Sequence, residues 1–157
     1  MKFAQLFSGS TGNAYVVEAE NGRRLLIECG VPWPKLQKAL DYKLDNIEGC
    51  FVTHEHKDHS KALKEVIAAG IKPYTSLGDK TLIRLDSFEV FSFDVEHDVP
   101  SVGFIVREKS SSDYLLFVTD TKTIVQRFSY PFSIVAIECA YDAAGLTKRV
   151  EAGEVNE

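Results

Sequence analysis

A chain of 157 residues with 45% hydrophobic and 26% charged residues has the composition of an ordinary globular protein, and we expect one domain over residues 1–157. The formal net charge is −5, so the overall charge gives no argument for nucleic-acid binding. It leaves anionic substrates open, because a bound metal ion carries a positive charge of its own.

The N-terminal segment and the cysteines bear on where the protein works. MKFAQLFSGSTGN has one lysine and a short, broken apolar run, so it is not typical of a signal peptide, and no window approaches 18 apolar residues. Cys29, Cys50 and Cys139 are widely spaced without a CxxC pair. We expect reduced core cysteines, with a soft metal ligand as the alternative. A cytoplasmic protein without membrane contact follows as the expectation.

The first half of the chain predicts strands followed by helices. KFAQLF, NAYVVEAE and RRLLIE have strand patterns, and Asn21-Gly22 predicts a type I′ turn between the last two. The apolar spacing of residues 32–40 predicts a helix entered at a proline. CFVT predicts a short buried strand, and SKALKEVIAAG predicts one helix that ends at Gly70.

The second half predicts further strands. IKPYTS indicates a short strand, and GDKTLIRL indicates a helix or turn. FEVFSFDVE, VGFIVREK, DYLLFVTD and SIVAIECA have strand patterns, and YDAAGLTKRVEAGEVNE begins as a helix. Antiparallel-looking early strands and later strands that alternate with helices predict a mixed α/β fold.

The stretch FVTHEHKDHS, residues 51–60, contains three of the four histidines. His54 and His56 are two residues apart, which places both side chains on the same side of an extended segment. Asp58 and His59 follow as the chain turns into a helix. Imidazole and carboxylate ligands suit zinc, with manganese or iron as the alternatives. The other interpretation is a solvated polar turn that happens to be rich in histidine.

These residues match a family pattern. HEHKDH fits the HxHxDH signature, and LLIECG, VEHDVPSVGF and LLFVTDT fit further segments, so the chain resembles the metallo-β-lactamase superfamily. That resemblance implies an αββα sandwich. SGSTGNAYVVE and IECAYD are similar to segments of the YycJ/WalJ-like branch, whose members are cytoplasmic metal-dependent phosphodiesterases regarded as DNA exonucleases.

The resemblance implies a centre for one or two divalent metal ions, zinc first. The implied ligands are His54, His56 and His97 for one ion, Asp58 and His59 for the second, and Asp120 as the bridge between them. Asp58 and Asp120 would also be catalytic, because a hydroxide between the two ions would attack a phosphodiester.

The resemblance also implies residues around the metals: Glu28, Ser8, Ser10, Asn13 and Asp98. Glu28 stands where the family has an aspartate that supports the metal loop. SGSTGN is interpreted as an anion-binding nest of backbone amides, or else as a simple glycine turn. Asp98 either supports His97 or is a solvated loop carboxylate.

The chain departs from the family pattern near its end. No histidine follows His97, so the histidine that completes the second metal site in the superfamily has no counterpart, and Ala140 replaces an asparagine of the branch. Glu138 and Asp142 are candidates to face the site from a strand end. Full members of the branch are longer, so we expect the end of the second half to be missing and the exposed apolar surface to favour self-association.

Three functions remain open at this point. The first is a metal-dependent phosphodiesterase that acts on nucleic acid. The second is a hydrolase of another ester class, such as a thioester, a lactone or a small cyclic phosphodiester, because one fold hosts many chemistries. The third is a non-catalytic metal-binding remnant or interaction module, which the missing histidine favours.

Overall fold

Alternating apolar residues produce two facing sheets. The computed structural model describes residues 1–138, which form two five-stranded sheets and three short helices. The elements of the first half are β1 Lys2–Phe7, β2 Ala14–Glu18, β3 Arg24–Ile27, α1 Trp33–Ala39, β4 Ile47–Phe51, α2 Lys57–Ser60, α3 Leu63–Ala68 and β5 Pro73–Tyr74. Those of the second half are β6 Leu82–Arg84, β7 Phe88–Val95, β8 Ser101–Glu108, β9 Tyr114–Val118 and β10 Phe132–Ile137.

Each sheet mixes antiparallel and parallel neighbours. The first sheet has the order β1-β2-β3-β4-β5, antiparallel from β1 to β3 and parallel from β3 to β5. The second has the order β10-β9-β8-β7-β6, antiparallel except for the parallel pair β9 and β10. The predicted mixed α/β class is therefore confirmed.

Three apolar layers hold the sheets together. Side chains that alternate along β2, β3, β7, β8 and β9 meet between the sheets, where Phe51, Phe104 and Phe117 are fully or almost fully buried. A second layer joins the other face of the first sheet to α1 and α3 through Leu36 and Val66. A third layer covers the outer face of β7, β8 and β9. These layers bring the strand ends of both sheets to one edge.

The turn after β2 differs from the prediction. Gly22 lies in the left-handed region with φ 81°, but Asn21 does not, so the turn is not type I′. Gly22 N donates to Ala19 O at 3.0 Å, and Asn21 Oδ1 accepts from Arg23 N at 3.0 Å. The type I′ prediction was wrong because the asparagine side chain binds the backbone locally and the glycine alone supplies the positive φ.

The helix predicted over SKALKEVIAAG is split into α2 and α3. Ala62 N donates to Cys29 O at 2.8 Å, outside the helix, and Asp58 O accepts from Asn13 N at 2.8 Å. These tertiary hydrogen bonds replace the helical one between Asp58 O and Ala62 N, so the helix breaks there. Gly70, with φ 82°, ends α3 as predicted.

Two further predictions have clear outcomes. GDKTLIRL contains β6 and not a helix, because its residues pair with β7 and Ile83 packs into the layer between the sheets. Cys29 and Cys50 are buried and unbridged among the described residues, as predicted, while Cys139, Ala140 and Asp142 lie outside them.

No helix within residues 1–138 is long and apolar enough to cross a membrane. Val135 and Ile137 are exposed on β10, and self-association through this region stays a prediction.

Candidate metal centre

The predicted ligands meet at the edge where strands of both sheets end. The loop after β4 carries His54 and His56, and helix α2 carries His59. The turn after β7 carries His97, and Asp120 lies shortly after β9. Residues far apart in sequence converge here because the two sheets face each other, and each strand delivers its following residue to the same edge.

Three imidazoles form the first group of ligands, which we call the imidazole group: His54, His56 and His97. One ligand atom from each lies within 4.8 Å of the others, and His54 Nε2 is 3.1 Å from His56 Nδ1. The ring centroid of His97 is 4.7 Å from that of His54 and 5.2 Å from that of His56. This spacing suits one cation at the centre of the three rings.

The second group combines two imidazoles and a carboxylate, and we call it the mixed group: His54, His59 and Asp120. Asp120 Oδ2 is 2.6 Å from His59 Nε2 and 3.7 Å from His54 Nε2. Asp120 therefore lies between the two imidazoles, as a bridging ligand must. Asp58 Oδ2 is 3.4 Å from His59 Nε2, at the rim of this group and outside its three-residue core.

His54 is held in position by two hydroxyl groups. Thr53 Oγ1 is 2.8 Å from its Nδ1, and Ser101 Oγ is 3.5 Å from the same atom. Its Nε2 is thereby turned towards the ligands of both groups. Burial, followed by the positive charge that His59, His97 and His56 can carry, lowers the pKa of His54 to about 3. The ring is therefore neutral, which is the form that binds metals.

Glu28 supports His59 from beneath, in the position that the sequence predicted for it. Its side chain is fully buried; Oε1 accepts from Thr53 N at 3.1 Å, and Oε2 lies 3.5 Å from His59 Nδ1. Burial raises the pKa of Glu28. Burial alone would lower the pKa of His59, but the negative charge of Glu28 beside Nδ1 outweighs burial, and that pKa is raised.

The backbone of the histidine loop is bound to the first sheet. Asp58 O accepts from Asn13 N, and His59 O accepts from Cys29 N, each at 2.8 Å. Gly30 packs so closely that a Cβ at this position would lie 1.6 Å from Asp58 O. Only glycine fits there, since even one methyl group would displace the carbonyl that positions Asp58 and His59.

Two ligand-side residues have unusual backbone conformations. Glu28 has φ 63° and Asp120 has φ 46°, both in the left-handed region that non-glycine residues rarely adopt. Glu28 directly follows β3, and Asp120 lies two residues after the end of β9. Strained backbone of this kind concentrates at functional sites, where the surrounding structure maintains it.

Of the other predicted residues, Asn13 and Asp98 lie near the histidine ligands, and Ser8 and Ser10 do not contact them. Asn13 is buried, its Nδ2 is 3.3 Å from His59 Nε2, and its Oδ1 accepts from Gly9 N at 3.0 Å. Asp98 Oδ1 lies 2.9 Å from His97 Nε2, and its side chain is 70% exposed at the mouth. Ser8 contacts Tyr15 through its hydroxyl, and Ser10 is exposed and forms no hydrogen bond among the described residues.

Three residues that shape the site, Thr53, Ser101 and Gly30, were not predicted from the sequence. Thr53 precedes the first histidine directly, so its adjacency was the available signal. Ser101 has no such signal, because it reaches His54 from β8, 47 residues away along the chain. Gly30 ends the LLIECG segment, but its role depends on the loop that packs against it.

The hydrogen bonding and spacing of the ligand nitrogens themselves fit a metal centre. His97 Nε2 is buried, and although Asp98 Oδ1 lies 2.9 Å away, it forms no hydrogen bond with the described residues. Imidazole nitrogens 3.1 Å apart face each other, an arrangement that a shared cation stabilises. The ligand roles of the six predicted residues remain predictions, and the geometry is compatible with all of them.

The chain is similar in sequence to phage Anti-Pycsar proteins and to bacterial exodeoxyribonucleases. The family described as Anti-Pycsar protein Apyc1 matches residues 5–83, which is half of the chain. The Anti-Pycsar protein Apyc1 of Bacillus phage 010DV004 is 48% identical over 54 residues, covering 34% of this chain and 21% of that protein. Exodeoxyribonuclease YycJ of Bacillus anthracis is 35% identical over 152 residues, covering 81% of this chain and 57% of that protein.

The structural likeness extends over nearly the whole chain. Human tRNase Z, short form, superposes with a TM-score of 0.68 at 18% identity, covering 96% of this chain and 82% of that protein. At this identity the likeness concerns the fold alone, which is also that of a metallo-β-lactamase from Cronobacter sakazakii. The chain spans well under two thirds of the length of the phage and YycJ relatives.

Proposed function

Because the chain belongs to the family described as Anti-Pycsar protein Apyc1 and has the metallo-β-lactamase fold, we propose that it is a metal-dependent hydrolase of phosphodiesters. The observation that carries this proposal is the convergence of the imidazole group and the mixed group on one shared histidine, His54. Two adjacent ligand groups suit two divalent ions, the arrangement used by many enzymes that cleave phosphate esters.

The metal ions would neutralise charge on the phosphate and favour ionisation of a water molecule. The residues of the chain then have separate tasks. His54, His56 and His97 supply nitrogen ligands, and Asp120 joins the two groups through Oδ2. Asp58, at the rim and 34% exposed, is placed to accept a proton from a water molecule at the mouth.

Asn13 and Glu28 act on His59 and its surroundings. Glu28 lies on the Nδ1 side of the ring and favours a proton there, which leaves Nε2 with a lone pair facing Asp120. Asn13 Nδ2 is a hydrogen-bond donor at the same end of the ring. A phosphate oxygen that enters beside Asp120 would find this donor within reach, which favours an anionic substrate.

The first candidate substrate is a nucleic-acid strand, as predicted from the sequence. Its support is the relation to exodeoxyribonucleases named YycJ and WalJ, which extends over 81–82% of the chain. The second candidate is a small cyclic nucleotide, supported by the family match over residues 5–83.

A cavity beside His54 also bears on substrate size. It has a volume of about 630 Å³. Its lining consists of the apolar side chains of Leu63, Leu77, Pro100 and Val102, the hydroxyls of Thr53 and Ser101, and the carboxylates of Glu55, Asp79 and Asp94. A volume in this range accommodates a small organic ligand. This cavity is the structural observation that favours the cyclic nucleotide as a candidate beside the strand.

A substrate panel tests the proposal. The purified chain, loaded in turn with Zn²⁺ and Mn²⁺, is incubated with end-labelled single- and double-stranded DNA, RNA, cyclic mononucleotides, and thioester and lactone substrates. We expect chelator-sensitive cleavage of a phosphodiester and none of the thioester or lactone. Cleavage of DNA alone selects the first candidate, and cleavage of cyclic nucleotides alone selects the second. Failure on every phosphodiester by the metal-loaded chain would contradict the proposal.

A further inference from the structure

The side-chain amide of Asn13 is oriented by two hydrogen-bond donors. Gly9 N donates to Asn13 Oδ1 at 3.0 Å, and the hydroxyl of Tyr15 lies 3.3 Å from the same oxygen. A backbone N–H and a phenol both require an acceptor, so the carbonyl oxygen of the amide must face them. The amide nitrogen therefore faces the other way, where Asn13 Nδ2 lies 3.3 Å from His59 Nε2.

Tyr15 brings its hydroxyl to this amide from the layer between the sheets. The residue is 4% exposed, and its ring stacks on Phe3 with centroids 5.8 Å apart and meets Phe117 edge-on at 5.0 Å. Burial raises the pKa of Tyr15, so the phenol keeps its proton. Ser8 Oγ lies 3.3 Å from the same hydroxyl and can donate to it. The phenol proton is then left for Asn13 Oδ1, an atom that can only accept.

The backbone of the segment SGSTGN, residues 8–13, makes its hydrogen bonds within the protein. Gly12 N donates to Gly9 O at 2.9 Å, and Asn13 N donates to Asp58 O at 2.8 Å. Gly9 N is bonded to the Asn13 side chain. These three N–H groups are therefore not free to bind an anion. The donor that the segment directs at the mixed group is the side-chain amide of Asn13.

This amide has one N–H group more than its contacts use. It carries two N–H groups, and His59 Nε2 is its one hydrogen-bond partner among residues 1–138. Asp120 Oδ2 lies 2.6 Å from the same ring nitrogen, so the amide points at the ligand atoms of the mixed group. A donor that is already oriented stabilises negative charge better than one that must first reorient.

From these contacts we infer that Tyr15 is a positioning residue for phosphodiester hydrolysis. It holds the Asn13 amide so that an N–H donates to a non-bridging oxygen of the phosphate of the substrate. Negative charge is spread over these oxygens in the transition state, where a fixed donor is most effective. This role rests on the proposed function, because it needs a phosphate at the metal centre. It does not depend on whether that phosphate belongs to a strand or to a cyclic nucleotide.

The variant Tyr15→Phe tests this role, because it removes one oxygen and keeps the aromatic ring. Cleavage of bis(p-nitrophenyl) phosphate by the full, metal-loaded chain measures kcat and KM. We expect kcat to fall about tenfold with KM nearly unchanged, since one hydrogen bond is lost while Gly9 N still holds the amide. Asn13→Ala should lower kcat about 100-fold, because it removes the donor itself. In the Asn13→Ala background, Tyr15→Phe should have no further effect.

Binding of inorganic phosphate is a second measurement and needs no turnover. Inorganic phosphate carries more negative charge on its oxygens than a diester does. Calorimetric titration of the metal-loaded chain should therefore show a phosphate affinity about fivefold weaker in Tyr15→Phe, and no further weakening by Tyr15→Phe in the Asn13→Ala background. Tyr114→Phe is the matched control, because Tyr114 begins β9 and Asp120 lies beyond the other end of that strand. It should leave kcat and the phosphate affinity unchanged.

Elemental analysis and thermal unfolding of each variant separate this role from a role in metal binding or in folding. We expect Tyr15→Phe to keep its metal content and to be folded at the assay temperature. Loss of metal in proportion to activity would overturn the inference, and so would an equal effect of Tyr15→Phe with and without Asn13, or an unchanged phosphate affinity. If the unaltered chain cleaves no phosphodiester, the proposed function fails, whereas the phosphate titrations still decide whether Tyr15 acts through Asn13.

Discussion

The imidazole group and the mixed group share His54 but differ in charge and in support. The imidazole group has three nitrogen ligands, and the pKa of His54, lowered to about 3 mainly by burial, keeps that ring neutral. The mixed group places Asp120 against His59, with Asp58 and Glu28 nearby. A neutral group binds a cation with little rearrangement of charge. The negative group is balanced only when a cation is present, so its occupancy and its local stability are coupled.

The two groups also differ in how their ligands are anchored. His54 lies three residues after the end of β4 and is oriented by the side chains of Thr53 and Ser101. His59 lies on the four-residue helix α2, whose backbone is bound to the first sheet through Cys29 N and Asn13 N. The mixed group therefore depends on remote packing more than the imidazole group does. The substitutions described below should affect the imidazole group and the mixed group to different extents.

Loss of His54 should have the largest effect, because this residue belongs to both groups. We expect His54→Ala to lose both ions and to reduce phosphodiester hydrolysis on the order of 1,000-fold, equivalent to about 4 kcal/mol of transition-state stabilisation. Elemental analysis and the substrate panel measure the two effects. A variant that keeps one ion tightly bound would show that the groups are independent of the shared histidine.

Gly30→Ala should disturb the mixed group through the backbone. The new methyl group would lie 1.6 Å from Asp58 O, so we expect a loss of about 1–3 kcal/mol in the free energy of unfolding, together with weaker binding of the second ion. Denaturant unfolding measures the first effect. Gly78→Ala is the matched control, because its methyl group would meet nothing closer than Thr81 Oγ1 at 4.0 Å. Equal stability of the two variants would contradict the close packing described for Gly30.

Glu28→Gln should weaken the second ion and leave the first unchanged. Glutamine can still accept from Thr53 N, but it loses the charge that faces His59 Nδ1. Removing such a supporting carboxylate costs about 10–100-fold in metal affinity. Calorimetric titration with Mn²⁺ and Zn²⁺ distinguishes the two ions, and an equal loss at both would show that Glu28 supports the whole centre.

The smallest effects should come from the hydroxyls behind His54. We expect Thr53→Val to reduce the first metal affinity by about tenfold, because it removes the contact at 2.8 Å to Nδ1. Ser101→Ala removes only the contact at 3.5 Å and should cost about threefold or less, since hydrogen bonds weaken with distance. Zn²⁺ titration measures both effects. If Ser101→Ala reduced the Zn²⁺ affinity more than Thr53→Val, Ser101 and not Thr53 would orient His54.

Much of the site was predictable because its ligands form a local pattern. HEHKDH places two imidazoles two residues apart, and His97 and Asp120 follow strand-like runs, so the predicted ligands needed only the strands to be recognised. Gly30 and Ser101 were missed for the opposite reason. Their contacts with Asp58 and His54 join residues 28 and 47 positions apart, and no short-range pattern records such contacts.

The amino-acid sequence by itself determined the alternating strands, the histidine loop and the chemical types of the ligands, because these depend on residue identity and short spacing. The tertiary structure alone decided three other features. It broke the predicted helix between α2 and α3, placed His54 in both ligand groups, and brought Ser101 to His54 Nδ1. Each of these depends on hydrogen bonds or strand register between distant segments, which exist only after the two sheets have packed together.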